Sequence, residues 1–578
     1  MKQPEPSRSD SVSLRGAARR SLLILLFLGA VVVGMAGEAL PIRYFRTQDG
    51  WVIGLALVAL GLAAMGLPGR PAPAGEWRWP AVRRAWLVPV LALVVLALWW
   101  GSDVVMSGYA LTRDEHMALF DMAIFQQGRL TEPLDPFWRG HVLALVPDFL
   151  LIVPGQSVLV SSYLPVNAML RAAFAALADP ALMNPLLVAL SGLALIAISR
   201  RLFPDDRATQ WAAILLFFAS TQLLANAMTP YAMTGHLAAN LCWLWLFLRG
   251  GRLGHGAALL LGFAAVGLHQ VIFHPLFVLP FLLWRWGRGE RRIVLLYCLA
   301  YGLFGLFWIS WQSLVMHVAG IEAASGAAAG TGGFIRERVL PLILRHSPLT
   351  FTLMDFNLLR FFAWQNLALL PLLLGAGQAL RRGEGLARPL AGGLLLAIGA
   401  FAFLLPYQGH GWGYRYLHGF LGSAALLGAY GFRALAAREN RGAHMFLLGG
   451  TGLTVVLAMP FLFWRAHDFV APHAQADAML SRIDADYVVI DTDTPGYQVD
   501  LVRNPPDLVQ RPIRLASSHL DAAMVEALCA RGRIAFVDGA ALGRLGVDMG
   551  AKRDNSPFNR LRADRADWHC GTSGPGSR

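Results

Sequence analysis

The feature that most constrains this chain is the recurrence, over its 578 residues, of long apolar runs separated by clusters of arginine. A helix needs about 20 mostly apolar residues to cross the hydrocarbon core of a bilayer. Runs that approach this length lie near 21–37, 51–67, 86–100, 182–199, 210–228, 236–249, 256–272, 275–286, 293–315, 364–380, 389–406, 418–434 and 445–464. With 56% hydrophobic and 15% charged residues and a mean hydropathy of +0.50, a soluble fold of this size could not hide its apolar surface. The expected architecture is an α-helical polytopic membrane protein of about 13 transmembrane helices.

The charge is +13, but the basic residues come as short clusters between apolar runs and not as one stripe, which excludes a nucleic-acid groove and fits topology signals instead. Arg15/Arg19/Arg20, Arg70/Arg78/Arg83/Arg84, Arg200/Arg201/Arg207, Arg249/Arg252, Arg285/Arg288/Arg291/Arg292, Arg381/Arg382/Arg388 and Arg433/Arg438/Arg441 fall in alternate loops. Those loops are cytoplasmic if residues 1–20 are a cytoplasmic N-terminus, and an odd number of spans then puts the C-terminus outside. The first run begins like a signal peptide, yet no A-x-A-like cleavage site ends it, so it reads as a retained signal anchor. The Ala, Gly, Leu and Arg usage is that of a bacterial protein, and the expected location is the inner membrane, multi-pass.

On this map residues 21–465 form the membrane domain, with long outer loops near 102–180 and 316–365. Residues 466–578 form a periplasmic tail. The polar residues unusual for a membrane protein collect on the outer side, where an active or binding site is expected. The first outer loop contains LTRDEHMALFDMAIFQQGRL, whose Met117, Phe120 and Ile124 recur at i, i+3 and i+7, the pattern of an amphipathic helix lying on the membrane surface. Thr112 and Glu115 have capping-box spacing, so two readings of the acids stand together. In one, Glu115 caps the helix and Asp114 favours its positive end. In the other, Asp114 is a general base, with Glu115 and Asp121 assisting. A second helix near 162–177, interrupted by Arg171, also reads as interfacial.

The Asp114-Glu115 pair in a first outer loop, the spacing from Ala118 or Ala123 to Gly128 and Leu130, and the Tyr163-Leu164-Pro165 element resemble GT-C glycosyltransferases, of the protein O-mannosyltransferase and aminoarabinose–lipid A transferase group. The resemblance covers roughly residues 86–300 and extends to the segment around Arg415. Two additional helices precede the loop, and Leu164-Pro165 stands where many relatives carry Pro-Pro. The resemblance implies a GT-C-like fold, an Asp114 that activates the acceptor, and a polyprenyl-phosphate-sugar donor.

The segment Gly409-His410-Gly411-Trp412-Gly413-Tyr414-Arg415-Tyr416 is similar to the G-x-R-Y stretches near the lipid-phosphate site of that family. Arg415 offers a fixed fork of donors, and Tyr414 and Tyr416 flank it, so this segment is the candidate phosphate-binding site. An interfacial aromatic belt with a snorkelling arginine fits the same residues. His236, His269, His274 and His410 are candidate cavity residues. His269 and His274, five apart with no acidic or third ligand near, are poorly spaced for a metal. No metal and no cofactor is firmly implied. Residues 323–333, rich in Gly and Ala, read as a lid or linker, followed by Arg336, Glu337, Arg338, Arg345 and His346.

In the tail, 486–491, 520–531 and 533–538 alternate strand, helix and strand, which implies a small α/β domain without a phosphate loop. Cys529 and Cys570 are its disulfide candidates in an oxidising compartment, whereas Cys242 and Cys298 fall in spans. The leading functional expectation is an inverting glycosyltransferase with a lipid, glycan or protein acceptor. A transporter or lipid flippase and a non-catalytic envelope-assembly protein are the alternatives. A transporter would place ionisable groups at the midplane, often in repeated halves, and no repeat is evident.

Overall fold

The computed structural model describes residues 13–37, 39–66, 79–145, 149–151, 156–321, 348–492, 497–547 and 557–564. Residues 323–333, Arg336, Glu337, Arg338, Arg345, His346 and Cys570 lie outside them. The chain divides into two compact units. The helical unit comprises 1–100, 181–308 and 330–465, and the loop-and-tail unit comprises 101–180, 309–329 and 466–578.

The helical unit contains most of the long apolar helices. Over the described residues of the whole chain, eight helices are long and apolar enough to cross a membrane, or nine if the pair Arg207–Phe218 and Thr221–Ala227, bent by 51°, is one span. A helix is present at each of the thirteen expected positions. The difference in number comes from length. Met233–Arg249, Gly251–Val266 and Phe273–Gly287 have 17, 16 and 15 residues, and the run near 364–380 is broken into Leu369–Gly375 and Gly377–Arg382. Composition marks such segments, but hydrophobicity alone does not report where helices start and stop.

Two patterns show how sequence places these helices. On Arg291–Ile309, Leu295, Leu299, Leu303 and Leu306 recur at helical spacing and are all exposed, a stripe suited to lipid. Leu421–Ala436 is the opposite, buried around nearly its whole circumference. At Gly431 a Cβ would lie 1.7 Å from the Leu372 carbonyl oxygen, so only glycine lets these two backbones approach so closely.

The loop-and-tail unit is a small α/β structure. Strands β1 (Glu132–Pro133) and β2 (Val158–Leu159) pair antiparallel. Strands β3 (Tyr487–Ile490), β4 (Ile513–Ala516) and β5 (Ile534–Val537) form a parallel sheet in the order β4-β3-β5. β4, fully buried, is absent from the sequence reading because Arg514 interrupts its apolar run. The helix Arg113–Gln126 also differs from expectation. Met117, Phe120 and Ile124 do form one stripe, but they are buried in a protein core with Trp138, Val489, Ile513 and Leu515. The stripe that reads as membrane-facing is thus the contact between the first long loop and the tail sheet. Arg171, on Val166–Ala175, is likewise buried, and its Nη1 donates to the Pro180 carbonyl at 3.0 Å.

Candidate functional site

In the loop-and-tail unit the start of helix Arg113–Gln126 gathers the acids. The capping box is formed: Glu115 N–H donates to Thr112 Oγ1, and Thr112 N–H donates to Glu115 Oε2 at 2.7 Å. Glu115 therefore has a structural role whatever else it does. Its other oxygen, Oε1, is enclosed without a hydrogen-bond partner among the described residues. Burial pushes the Glu115 carboxyl up to about 7, against the lowering influence of its bonds to Thr112. Arg171, held down to about 10 by burial, lies near enough for Glu115 to favour its charge.

Asp114 accepts a hydrogen bond from the Tyr163 hydroxyl at Oδ1. Tyr163 belongs to the Tyr163-Leu164-Pro165 element singled out in the sequence, so the structure joins two of its signals. Arg113, one residue earlier, pairs with Asp500 of the tail at 3.0 Å. Burial raises Asp500 to about 6 despite Arg113 and Arg503. One helix turn is thereby fixed to both the loop and the tail. Asp121, two turns along on the face of Asp114, lines a small pocket with Ser161, Tyr163, Trp311 and Gln312. Its carboxyl is raised by burial to about 7, with a Ser161 hydrogen bond acting the other way.

A titration at that position has a stability consequence. A carboxyl whose folded-state value lies above its unfolded one favours the folded protein at low pH, and this contribution is lost as pH rises through the folded value. For Asp121 the window runs from about 4 to about 7. Asp121→Asn should therefore flatten part of the fall in melting temperature between those pH values, with Glu115 supplying the remainder. An unchanged slope in thermal melts of the purified variant would rule out a buried, titrating Asp121.

In the helical unit, the Gly409–Tyr416 segment is irregular backbone between the helices Ala387–Leu404 and Leu421–Ala436. Irregular backbone at membrane depth survives only where its polar groups are satisfied. Here buried side chains do so almost residue by residue. Asn357 donates to the Pro406 carbonyl and Tyr231 to that of His410. Arg360 donates to Gly411 and Gly413, Asn226 to Trp412, and Gln222 to Tyr414. Gly413 sits at φ +71°, and a Cβ there would meet the Gln222 side chain at 2.4 Å.

Arg415 is buried. Its N–H donates to Gln408 Oε1 at 2.9 Å, and its Nη2 donates to the Gln408 carbonyl. Its guanidinium lies 5.1 Å from the Tyr231 ring centroid and 5.3 Å from that of Tyr416. Tyr414 is fully buried, its hydroxyl 3.6 Å from Met354 Sδ, while Tyr416 is half-buried.

The sequence reading missed the brace behind this segment. Arg360 Nη1 pairs with both carboxylate oxygens of Asp49, at 3.1 and 2.8 Å, both residues being buried, and Trp364 Nε1 donates to Asp49 Oδ1 at 2.8 Å. Asp49 ends a π-helical turn, Phe45–Asp49, inside the helix Leu40–Met65. The available signal was an acid beside a long apolar run. The apolar runs near 21–37 and 51–67 leave that acid between them, outside both. Gln222 and Asn226, inside the apolar run 210–228, were a second signal, since polar residues in a span are costly unless they have a task.

The histidines separate. His410 Nδ1 lies 3.2 Å from the Tyr44 hydroxyl, within the braced segment. His274, fully buried, bonds to Asn240 at 2.7 Å and Tyr301 at 2.8 Å, which ties three helices together. His236 is buried with Phe273 packed on its ring, and His269 also packs on Phe273. Among the described residues no group of three His, Cys, Asp or Glu comes together to hold a metal ion. Cys529 is disulfide-bonded, and Cys242 and Cys298 are free. Cys570, its expected partner, is outside the described residues.

The class that these features define is a multi-pass α-helical membrane protein carrying a small α/β unit. Among solved structures the chain is similar to ArnT from Cupriavidus metallidurans bound to undecaprenyl phosphate, at 13% identity over 73% of this chain and 86% of that one, with a TM-score of 0.44. It is also similar to ArnT from Cupriavidus metallidurans in the apo state, at 14% identity over 73% and 85% of the two chains, with a TM-score of 0.42. No family model and no curated protein sequence matches it.

Proposed function

We propose that this protein is an inverting glycosyltransferase of GT-C type in a bacterial inner membrane, with a cytoplasmic N-terminus and a periplasmic tail. It moves a sugar from a polyprenyl-phosphate donor to an envelope acceptor. The observation that carries the reading is Asp114: a carboxylate at the start of a helix, whose Oδ1 accepts a hydrogen bond from the Tyr163 hydroxyl. A side chain so held suits a general base. The acceptor nucleophile attacks the anomeric carbon, the bond from that carbon to the phosphate oxygen breaks, and Asp114 takes the acceptor's proton. The polyprenyl phosphate leaves with the bonding electrons. Asp121, in the neighbouring pocket, is the second proton-accepting candidate.

For the leaving group, Arg415 is the proposed phosphate ligand, because its guanidinium donates to the Gln408 carbonyl and lies against the Tyr231 and Tyr416 rings. Arg415→Lys retains charge and loses the planar fork. It should raise the apparent KM for a polyprenyl-phosphate sugar by about tenfold or more, the equivalent of one charge-assisted hydrogen bond at about 1.5–3 kcal/mol. The test is transfer of labelled sugar by the reconstituted protein. Equal KM for the two proteins would remove Arg415 from the donor site. Movement of a solute with no transfer from any polyprenyl-phosphate sugar would favour the transporter reading.

A further inference from the structure

The helix Arg113–Gln126 carries Asp114 and Asp121 on one face, and its opposite face lines a different cavity. That cavity, about 300 Å³, lies wholly within the loop-and-tail unit. His116, Leu119, Phe120 and Ala123 form one wall, and Arg503, Arg511 and Arg514 with Asp477 supply its charge. Its volume is at the lower end for small-molecule sites.

The charges do not cancel. Arg514 on β4 pairs with Asp477, and its Nη2 also donates to Ser481 at 2.7 Å. Arg503 donates to the Asp500 and Leu111 carbonyls and stacks at 4.2 Å on the Tyr109 ring. Arg511 donates to the Leu508 carbonyl. Neither Arg503 nor Arg511 forms an ion pair among the described residues. Among the side chains that line the cavity, three guanidinium groups face one carboxylate.

His116 adds a donor. Its Nε2 is enclosed and has no hydrogen-bond partner among the described residues. Burial first, then Arg503, Arg514 and Arg113, push this imidazole down to about 3, so it is neutral and free to present an N–H. Enclosed polar atoms without partners are rare in folded proteins and mark places where a ligand or water completes the bonding.

We infer that this cavity is a binding site for a phosphate monoester, held by Arg503 and Arg511 and by His116 Nε2. A phosphate monoester carries about −1.5 to −2 charges at pH 7 and offers three acceptor oxygens, which matches the surplus charge and the donor geometry. The site goes beyond the transferase reading and does not depend on it. The phosphate can belong to a lipid headgroup or to a soluble sugar phosphate.

The probes are glucose 1-phosphate, with glucose as its uncharged control, and phosphatidic acid in nanodiscs, with phosphatidylcholine as its control. Titration calorimetry on the full chain is expected to show saturable binding of at least one phosphate monoester and of neither control. Arg511 is exposed, so Arg511→Glu should fold, and it should weaken that binding by at least tenfold. His116→Phe, a second variant that adds no charge, should weaken it less. Asp114→Asn, on the other face of the helix, should bind as the parent does, which separates this site from the transfer reaction. Binding of phosphatidic acid alone identifies a lipid headgroup, and binding of glucose 1-phosphate alone a soluble ligand. If neither binds saturably, or if both variants keep parental affinity, the site does not exist.

Discussion

Asp114→Asn is expected to reduce sugar transfer by about 10²–10⁴-fold while leaving the melting temperature within a few degrees of the parent, because a positioned base contributes about that much to rate. Asparagine has nearly the shape of aspartate, and its amide oxygen can still accept from the Tyr163 hydroxyl, so the geometry of the helix start survives. The proton acceptor is what disappears. Tyr163→Phe probes the same group from the other side. Losing a hydrogen bond to a charged partner costs about 1.5–3 kcal/mol, so Tyr163→Phe should slow transfer while leaving the proton acceptor in place. Glu115→Gln should be milder, since glutamine can complete the capping box with Thr112. If Asp114→Asn turns over like the parent in proteoliposomes and Asp121→Asn does not, the base is Asp121. If Asp114→Asn, Glu115→Gln and Asp121→Asn all retain activity, this helix does not carry the chemistry.

The residues around Asp114 show what a single sequence discloses. The capping box was legible because both of its bonds join positions three apart, and spacing along a helix is local information. The approach of Tyr163 to Asp114 was legible only as a motif, since 49 residues separate them. The Arg113–Asp500 pair spans 387 residues and was not legible at all. The same holds for the apolar stripe Met117, Phe120 and Ile124: a period of 3.6 reveals that one face is buried, but not whether lipid or protein buries it. The tail sheet was found at two of its three strands because β3 and β5 are apolar runs, and β4 was hidden by Arg514, whose charge is answered by Asp477 37 residues earlier.

The Gly409–Tyr416 segment was visible as a break in the helices for a similar reason: its glycines are poor helix formers in an apolar setting. Its brace was invisible because Asp49 and Arg360 are 311 residues apart. That brace yields the second large expected effect. Removing one partner of a buried ion pair strands the other, at a cost of about 3–5 kcal/mol. Asp49→Leu and Arg360→Met should each lower the melting temperature sharply or abolish recovery of folded protein from detergent. The double variant should recover much of that stability, since an apolar pair of similar volume often replaces a buried ion pair at little net cost. It should not recover function. Without Arg360 the Gly411 carbonyl loses its donor and the Gly413 carbonyl keeps only Gln408, so the segment that positions Arg415 can relax. The double variant is therefore expected to fold and yet bind the polyprenyl-phosphate donor as weakly as Arg415→Lys does. Parental donor affinity in the folded double variant would show that the Asp49–Arg360 pair stabilises the helices alone and has no part in positioning Arg415.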